Sequence, residues 1–285
     1  MSRGTVILCP NPVKDRGLSV TALAREKLEQ AGFSVLVSPE LVDAPEPAED
    51  APGEDIPPEA FASACLVVSL GGDGTIMHTA RRMIGCATPI LGVNLGNVGF
   101  LTELDRGDLD RLADAAAGRY ALSPRMLRRA ELWRSGAPVY DNYALNDVTL
   151  RGASRMIRMT ARGDGRKILD FSGDGLVIAT PTGSTAYSMA AGGPLVEPTA
   201  ENIILTPVCA HALAARSFVL APDRVVTVEL GRLRGQALLS VDGDSYKVRE
   251  GDCLRVEKAE YRTNIAHVGE KGFYDIVYEK LGDRK

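Results

Sequence analysis

Apolar residues follow two different rhythms along this chain. Up to about residue 120, short unbroken apolar runs at 5–9, 33–37, 65–70 and 88–93 are separated by stretches in which apolar residues recur every three or four positions. Runs of that length read as buried strands, and the stretches at 19–31, 75–84 and 109–117 as amphipathic helices. Ser19 is the expected N-cap of the first helix and Gly32 its end. Strands alternating with helices predict a parallel sheet with helices on both faces. Beyond Ser123-Pro124 the pattern becomes two-residue alternation in short pieces at 130–133, 148–151, 155–161, 176–179, 224–230, 237–241 and 253–258. Gly, Asp and Pro punctuate these pieces, which predicts a mainly β domain. Residues 273–281 return to helical periodicity and are expected to pack back on the first domain. The expected division is an α/β domain at 1–122 with 268–285, and a β-rich domain at 123–267. Residues 43–58 hold six acidic residues and five prolines. They read as an exposed, poorly structured loop.

Composition narrows the class. The chain has 285 residues, 45% hydrophobic and 25% charged, with a formal net charge of −4. That is globular composition with room for a sizeable core. The acidic balance disfavours nucleic acid as a partner, and the absence of a basic cluster disfavours an anionic membrane surface. No apolar run reaches the length of a membrane span, and residues 6–9, closed by Pro10, are too short for a signal peptide. Cys9, Cys65, Cys86, Cys209 and Cys253 are scattered, with no C-x-x-C pair. Such spacing reads as reduced thiols in a cytoplasmic protein, without a disulfide framework or a zinc site.

Three stretches carry candidate chemistry. Gly71-Gly72-Asp73-Gly74-Thr75 joins a predicted buried strand to a predicted helix. Glycines there let the backbone approach a ligand, and free amides with the helix N-terminus favour a phosphate. A carboxylate in such a loop would repel a bare anion. Asp73 therefore suggests a second task, either orienting or deprotonating a hydroxyl or holding a metal on the phosphates. The second stretch is Thr180-Pro181-Thr182-Gly183-Ser184-Thr185-Ala186-Tyr187, flanked by Gly173-Asp174-Gly175 and Gly192-Gly193-Pro194. Its hydroxyls and backbone groups suit the polar edge of a base, with Tyr187 able to stack or close a pocket; a capped helix start is the plainer explanation. The third, Asn146-Asp147 before an apolar strand, can bind ribose hydroxyls, although such a pair more often makes a turn.

In their order along the chain, these stretches resemble the NAD kinase family. The Gly-Gly-Asp-Gly-Thr string alone is shared with diacylglycerol-type lipid kinases and, more loosely, phosphofructokinases. The resemblance extends to Gly92-Val93-Asn94-Leu95-Gly96, Gly99-Phe100-Leu101-Thr102, Ala144-Leu145-Asn146-Asp147, residues 173–194, residues 207–219 with His211 and Arg216, Val241-Asp242-Gly243, and the tail Phe273-Tyr274-Asp275 to Lys280-Leu281-Gly282. It implies a phosphotransferase with an alcohol acceptor, moving the γ-phosphate of ATP to the 2′-hydroxyl of NAD's adenosine ribose. The first domain would bind nucleotide and the second NAD. Asp73 would be catalytic, and Gly71, Gly72, Gly74 and Thr75 would form the phosphate loop. Asp73, Gly74, Phe100, Asn146, Asp147, Arg155, Asp174, Thr185, Ala186, Tyr187 and Ala190 would bind NAD. A divalent cation, Mg²⁺, would travel with the triphosphate, with no protein side chain assigned as its ligand. A homo-oligomer, dimer or tetramer, is implied, with a neighbouring subunit completing the site.

The chain departs from the family pattern at four places. Asp147 stands where Glu is usual. Ser172 replaces a basic residue, leaving Arg155 as the candidate for a phosphate contact. Ala190 stands where some members have Ser, and no proline precedes His211. A lipid kinase explains the glycine loop but leaves the Thr185-Ala186-Tyr187 region without a use. A non-catalytic NAD-binding regulator leaves Asp73 without a task. A dehydrogenase lacks its G-x-G-x-x-G fingerprint, since Cys9-Pro10-Asn11-Pro12 follows the first strand.

Overall fold

The computed structural model describes residues 3–38, 56–96, 99–212, 215–233 and 235–282. The loop expected at 43–58 lies outside the described residues as far as residue 55. The chain divides into two compact units, Met1–Pro124 with Thr263–Lys285, and Arg125–Arg262.

The first unit opens with β1 (Thr5–Pro10), followed by α1 (Ser19–Gln30). Ser19 is not the cap of α1. Leu18 holds the cap position with a left-handed backbone at φ 53°, and the orphan amides are met by Asp15. The Asp15 carboxylate accepts from Val20 N at 3.0 Å and Thr21 N at 2.8 Å. A carboxylate at the positive end of a helix is favoured, which lets Asp15 stay wholly buried. Next come β2 (Ser34–Val37), the short α2 (Pro58–Ser63), β3 (Leu66–Gly71), α3 (Asp73–Arg82), β4 (Ile90–Asn94), β5 (Leu104–Asp105) and α4 (Leu112–Ala116). The helix α2 was not legible in the acidic stretch that precedes it; Pro58 at its first position starts it. The strands pair in the order β5-β4-β3-β1-β2, all parallel. Val6, Leu8, Leu66, Val68, Leu91 and Val93 bury one face with Val20, Ala24 and Leu28 of α1 and Leu112 of α4. Ile76 of α3 packs against Gly92 on the other face. Helices on both faces explain why these strands read as unbroken apolar runs.

In the second unit, β6 (Ala121–Arg134), β7 (Ala137–Ala144), β8 (Asp147–Gly152), β9 (Ile157–Gly163), β10 (Arg166–Gly173) and β11 (Gly175–Ala179) precede a single helical turn, α5 (Tyr187–Ala190). Then follow β12 (Ile203–Val208), β13 (Phe218–Leu220), β14 (Val226–Leu230), β15 (Ala237–Val241), β16 (Asp244–Val248) and the long β17 (Cys253–His267). One antiparallel sheet runs β13-β12-β11-β8-β15-β16. A second joins β10, β9, β14 and the start of β17. Alternate residues of the two sheets, among them Val148, Leu150, Ile178 and Leu239 from the first and Met159, Val228 and Leu254 from the second, share one core. The expected pieces at 130–133 and 253–258 are parts of strands of 14 and 15 residues. Sequence patterning truncates them where charged residues interrupt the alternation, whereas ladder pairing carries them on.

The end of β17 pairs in parallel with β4 at Ile265↔Ile90. α6 (Phe273–Leu281) completes the first unit, with Lys280 Nζ 4.2 Å from the centre of the Phe100 ring. His267 is the last residue of β17, with Nδ1 2.7 Å from Glu103 Oε2.

Candidate active site

The glycine loop stands at the carboxyl end of β3, inside a parallel sheet, where ligands of open α/β folds bind. Gly71 ends the strand and Gly72 is the extended cap residue of α3, so the helix begins at Asp73, two residues earlier than the periodicity predicted. The loop is internally tied: Gly72 N donates to Thr75 Oγ1 at 3.3 Å and Thr75 N to Gly72 O at 3.0 Å. A Cβ on Gly71 would fall 2.8 Å from Thr75 Cβ, so that glycine is required for close packing. Nothing lies within 4 Å of the Cβ position of Gly74, which faces open space.

Asp73 is fixed by a second loop. Phe100 N donates to its Oδ2 at 2.7 Å and Leu101 N to its Oδ1 at 3.0 Å. These bonds set the carboxylate's direction and leave each oxygen a further lone pair to accept a proton or a hydrogen bond. Phe100 is half-buried beside it, with the Lys280 amine over its ring.

Lys14 escaped sequence reasoning. Its turn follows β1, where the Asn11 side-chain oxygen accepts from Val13 N and Lys14 N, and Asn11 Nδ2 donates to Thr75 Oγ1 at 3.3 Å. The Lys14 amine lies 2.6 Å from the Cβ position of Gly72 and 3.8 Å from that of Gly96. A cation is thus held over the positive end of α3, where it is unfavourable unless an anion joins it. The signal was the Asn11-Pro12 turn followed by a lysine, which carried no weight without the glycine loop beside it.

A cleft of about 500 Å³ also opens in the first unit. Glu103, Asp105, Asp108, Glu270 and Glu279 line it with Arg111 and Lys271, a wall with a net acidic balance. Among the described residues no three His, Cys, Asp or Glu side chains converge as metal ligands. Mg²⁺ keeps several waters and takes phosphate oxygens, so a single carboxylate, Asp73, beside a glycine loop is compatible with such an ion.

The second unit groups the remaining candidates at the two ends of the β8–β11 pair. At one end, Asp147 is opposite Ala179, after which the chain enters the Thr182–Thr185 turn and α5. Asn146 O accepts from Thr180 N at 2.8 Å, and Asp147 Oδ1 accepts from Thr149 Oγ1 at 2.9 Å. Burial pushes the Asp147 carboxyl up from its ordinary range, against the Thr149 bond. A Cβ on Gly183 would fall 2.7 Å from Asn146 Cα, so the two loops touch through a glycine. Thr185 donates from Oγ1 to Thr182 O at 3.2 Å, Ala186 is half-buried, and Tyr187 and Ala190 are exposed. At the other end, Arg151 is opposite Gly175. There Gly152 N donates to Asp174 O at 2.9 Å, and the exposed Arg155 closes the turn against Gly152. The Asp174 side chain is hydrogen-bonded to the Cys209 thiol, which raises the thiol pKa. Four residues of strand, roughly 14 Å, separate the two ends. Asn146, Asp147, Thr185, Ala186 and Tyr187 thus form one group, and Arg155 with Asp174 another.

Known proteins give the same picture. Residues 12–119 match the model of the ATP-NAD kinase N-terminal domain and residues 145–268 that of the C-terminal domain. An NAD kinase of Caldanaerobacter subterraneus subsp. tengcongensis is 40% identical over 230 residues, covering 79% of this chain and 81% of the relative. One from Geotalea daltonii is 38% identical over 260 residues, covering 90% of each. The fold is that of yeast NADH kinase complexed with NADH (TM-score 0.85, 24% identity, 100% of this chain and 89% of that one) and of an NAD kinase from Archaeoglobus fulgidus in complex with ATP (TM-score 0.77, 24% identity, 98% and 99%). With a helix-start carboxylate in a glycine loop and both domain models matched in order, the chain belongs to the NAD kinase family.

Proposed function

We propose that this protein phosphorylates the 2′-hydroxyl of the adenosine ribose of NAD with the γ-phosphate of ATP, yielding NADP. The observation that carries this reading is Asp73, a carboxylate held by two backbone amides at the first turn of α3, among glycines that leave room for phosphate. The triphosphate lies on the Gly71–Gly74 backbone and the α3 N-terminus, with Lys14 neutralising part of its charge. Asp73 accepts the hydrogen bond of the 2′-hydroxyl, points it in line with the γ-phosphorus, and takes its proton as the new bond forms. Mg²⁺, when bound, offsets charge on the phosphate oxygens. Asn146 and Asp147 hold NAD through ribose or base edges, and Thr185, Ala186 and Tyr187 line the same group.

Arg155 and Asp174 stand too far along the β8–β11 pair to join that group on one compact ligand moiety. An extended dinucleotide, or a second subunit offering this end to its neighbour's NAD, accounts for both groups; a homo-oligomer is the form we favour. Scattered thiols fit a reducing, cytoplasmic setting.

The test is NADP formation from NAD, ATP and Mg²⁺, read with an NADP-specific dehydrogenase. Asp73→Asn is expected to lower kcat by about 10²–10⁴ while NAD still binds. Wild-type protein that binds NAD yet forms no NADP with ATP, other triphosphates or polyphosphate would leave the reading untenable.

A further inference from the structure

Asp242 lies in the turn between β15 and β16, in the left-handed region at φ 46°. Its carboxylate is turned inward. Oδ2 accepts from Leu145 N at 2.6 Å, and Oδ1 from Asn146 N at 3.0 Å and Asp147 N at 2.9 Å. Asp242 N in turn donates to Asp147 O at 3.1 Å. One side chain thus satisfies three consecutive amides of the segment that carries Asn146 and Asp147. The same segment is held from the opposite side, where Thr180 Oγ1 donates to Leu145 O at 2.5 Å and Gly183 lies against Asn146. An Asp-Gly hairpin turn needs no buried carboxylate, and burying one beside Asp147 works against both charges. The arrangement makes sense where three amides in a row must be kept in one conformation that no regular ladder supplies.

We propose that Asp242 is a positioning residue for NAD, clamping the Leu145-Asn146-Asp147 backbone so that the Asn146 and Asp147 side chains face the dinucleotide. The inference rests on the NAD kinase reading, but its test is a direct binding titration that does not need turnover.

Asp242→Asn keeps the side-chain shape and replaces one acceptor oxygen with a donor that opposes an amide. NAD binding to the purified variant is expected to weaken about tenfold or more, the effect of losing a charge-assisted bond. The KM for NAD should rise in parallel, with kcat within about threefold and the KM for ATP unchanged, because ground and transition states lose the same contact. Asp242→Glu, which retains the carboxylate on a longer stem, should recover part of the NAD affinity. A folded Asp242→Asn variant with wild-type NAD affinity overturns the proposal, as does a fall in kcat at unchanged KM for NAD. If neither variant folds, Asp242 belongs to the fold and not to substrate positioning, which also overturns it. A wild-type protein that binds no NAD would instead refute the kinase reading.

Discussion

Gly99 and Asp73 compete for one volume: a Cβ on residue 99 would fall 2.8 Å from the Asp73 Cγ, within the space its carboxylate occupies. The placement of the Asp73 carboxylate therefore depends on a residue 26 positions away having no side chain. Gly99→Ala must push Asp73 off the Phe100 and Leu101 amides or shift the loop that bears them. Steady-state assays should show kcat reduced by about tenfold to a hundredfold, with smaller changes in either KM, because misplacement of a reacting group acts on the chemical step.

Lys14 gives a different signature. In the proposed reaction its amine would serve the donor and not the acceptor. Lys14→Met is expected to raise the KM for ATP by about tenfold to a hundredfold, the range for losing a hydrogen bond to a charged group. The KM for NAD should stay within about twofold, and Lys14→Arg should retain part of the affinity. Initial rates with each substrate varied in turn separate these outcomes.

Asp242 also makes stability depend on pH. Its carboxyl is pushed up from 3.8 to about 6, chiefly by burial, with the Leu145, Asn146 and Asp147 amides opposing and the Asp147 charge adding to the rise. A raised carboxyl binds a proton more tightly in the folded chain than in the unfolded one. Its contribution is complete below about pH 4 and is lost as pH rises toward 6. Urea unfolding of wild type and Asp242→Asn at several pH values should show their stability difference shifting against the wild type by about 3 kcal/mol over that window.

Much of this was legible in the sequence, for identifiable reasons. The strands β1, β3 and β4 are buried on both faces, so they read as unbroken apolar runs, and the glycine loop falls where one of them meets a helix. The carboxylates Asp15 and Asp242 were not legible. Each caps or clamps amides distant or irregularly offset in sequence, a task that leaves no periodic trace. Ser19 looked like a cap because its residue type is right, yet a buried aspartate four residues earlier took the role. Asp242 stood out only as part of the Val241-Asp242-Gly243 stretch, because nothing in that string reveals that the carboxylate turns inward.

Arg128 is wholly buried in the second unit, with Nη1 donating to Pro222 O at 2.9 Å and with Nε and Nη2 lacking partners among the described residues. Burial pulls its pKa down to about 10 against the attraction of Asp223 and Glu201. A buried charge so poorly matched costs more than it returns. Arg128→Met should leave NADP formation unaltered and stabilise the protein by about 1–3 kcal/mol in urea unfolding. Loss of stability would mean that ordered water satisfies the guanidinium.

The first unit is built from two ends of the chain. Asn264 donates to Ala87 O across 177 positions of sequence, and His267 reaches Glu103 across 164. Chain synthesis imposes an order on such a unit. When β4 leaves the ribosome, β3 is already there to pair with it, but β17, which joins its other edge at Ile90, has not been made, and at ~5–20 residues per second it follows roughly ten to thirty-five seconds later. For that interval the Ile90 end of β4 lacks its β17 neighbour, while the whole of the second unit is being translated. The newborn chain must therefore keep a sheet edge from finding the wrong neighbour before the right one exists, and the ring of Phe100 waits as long for Lys280.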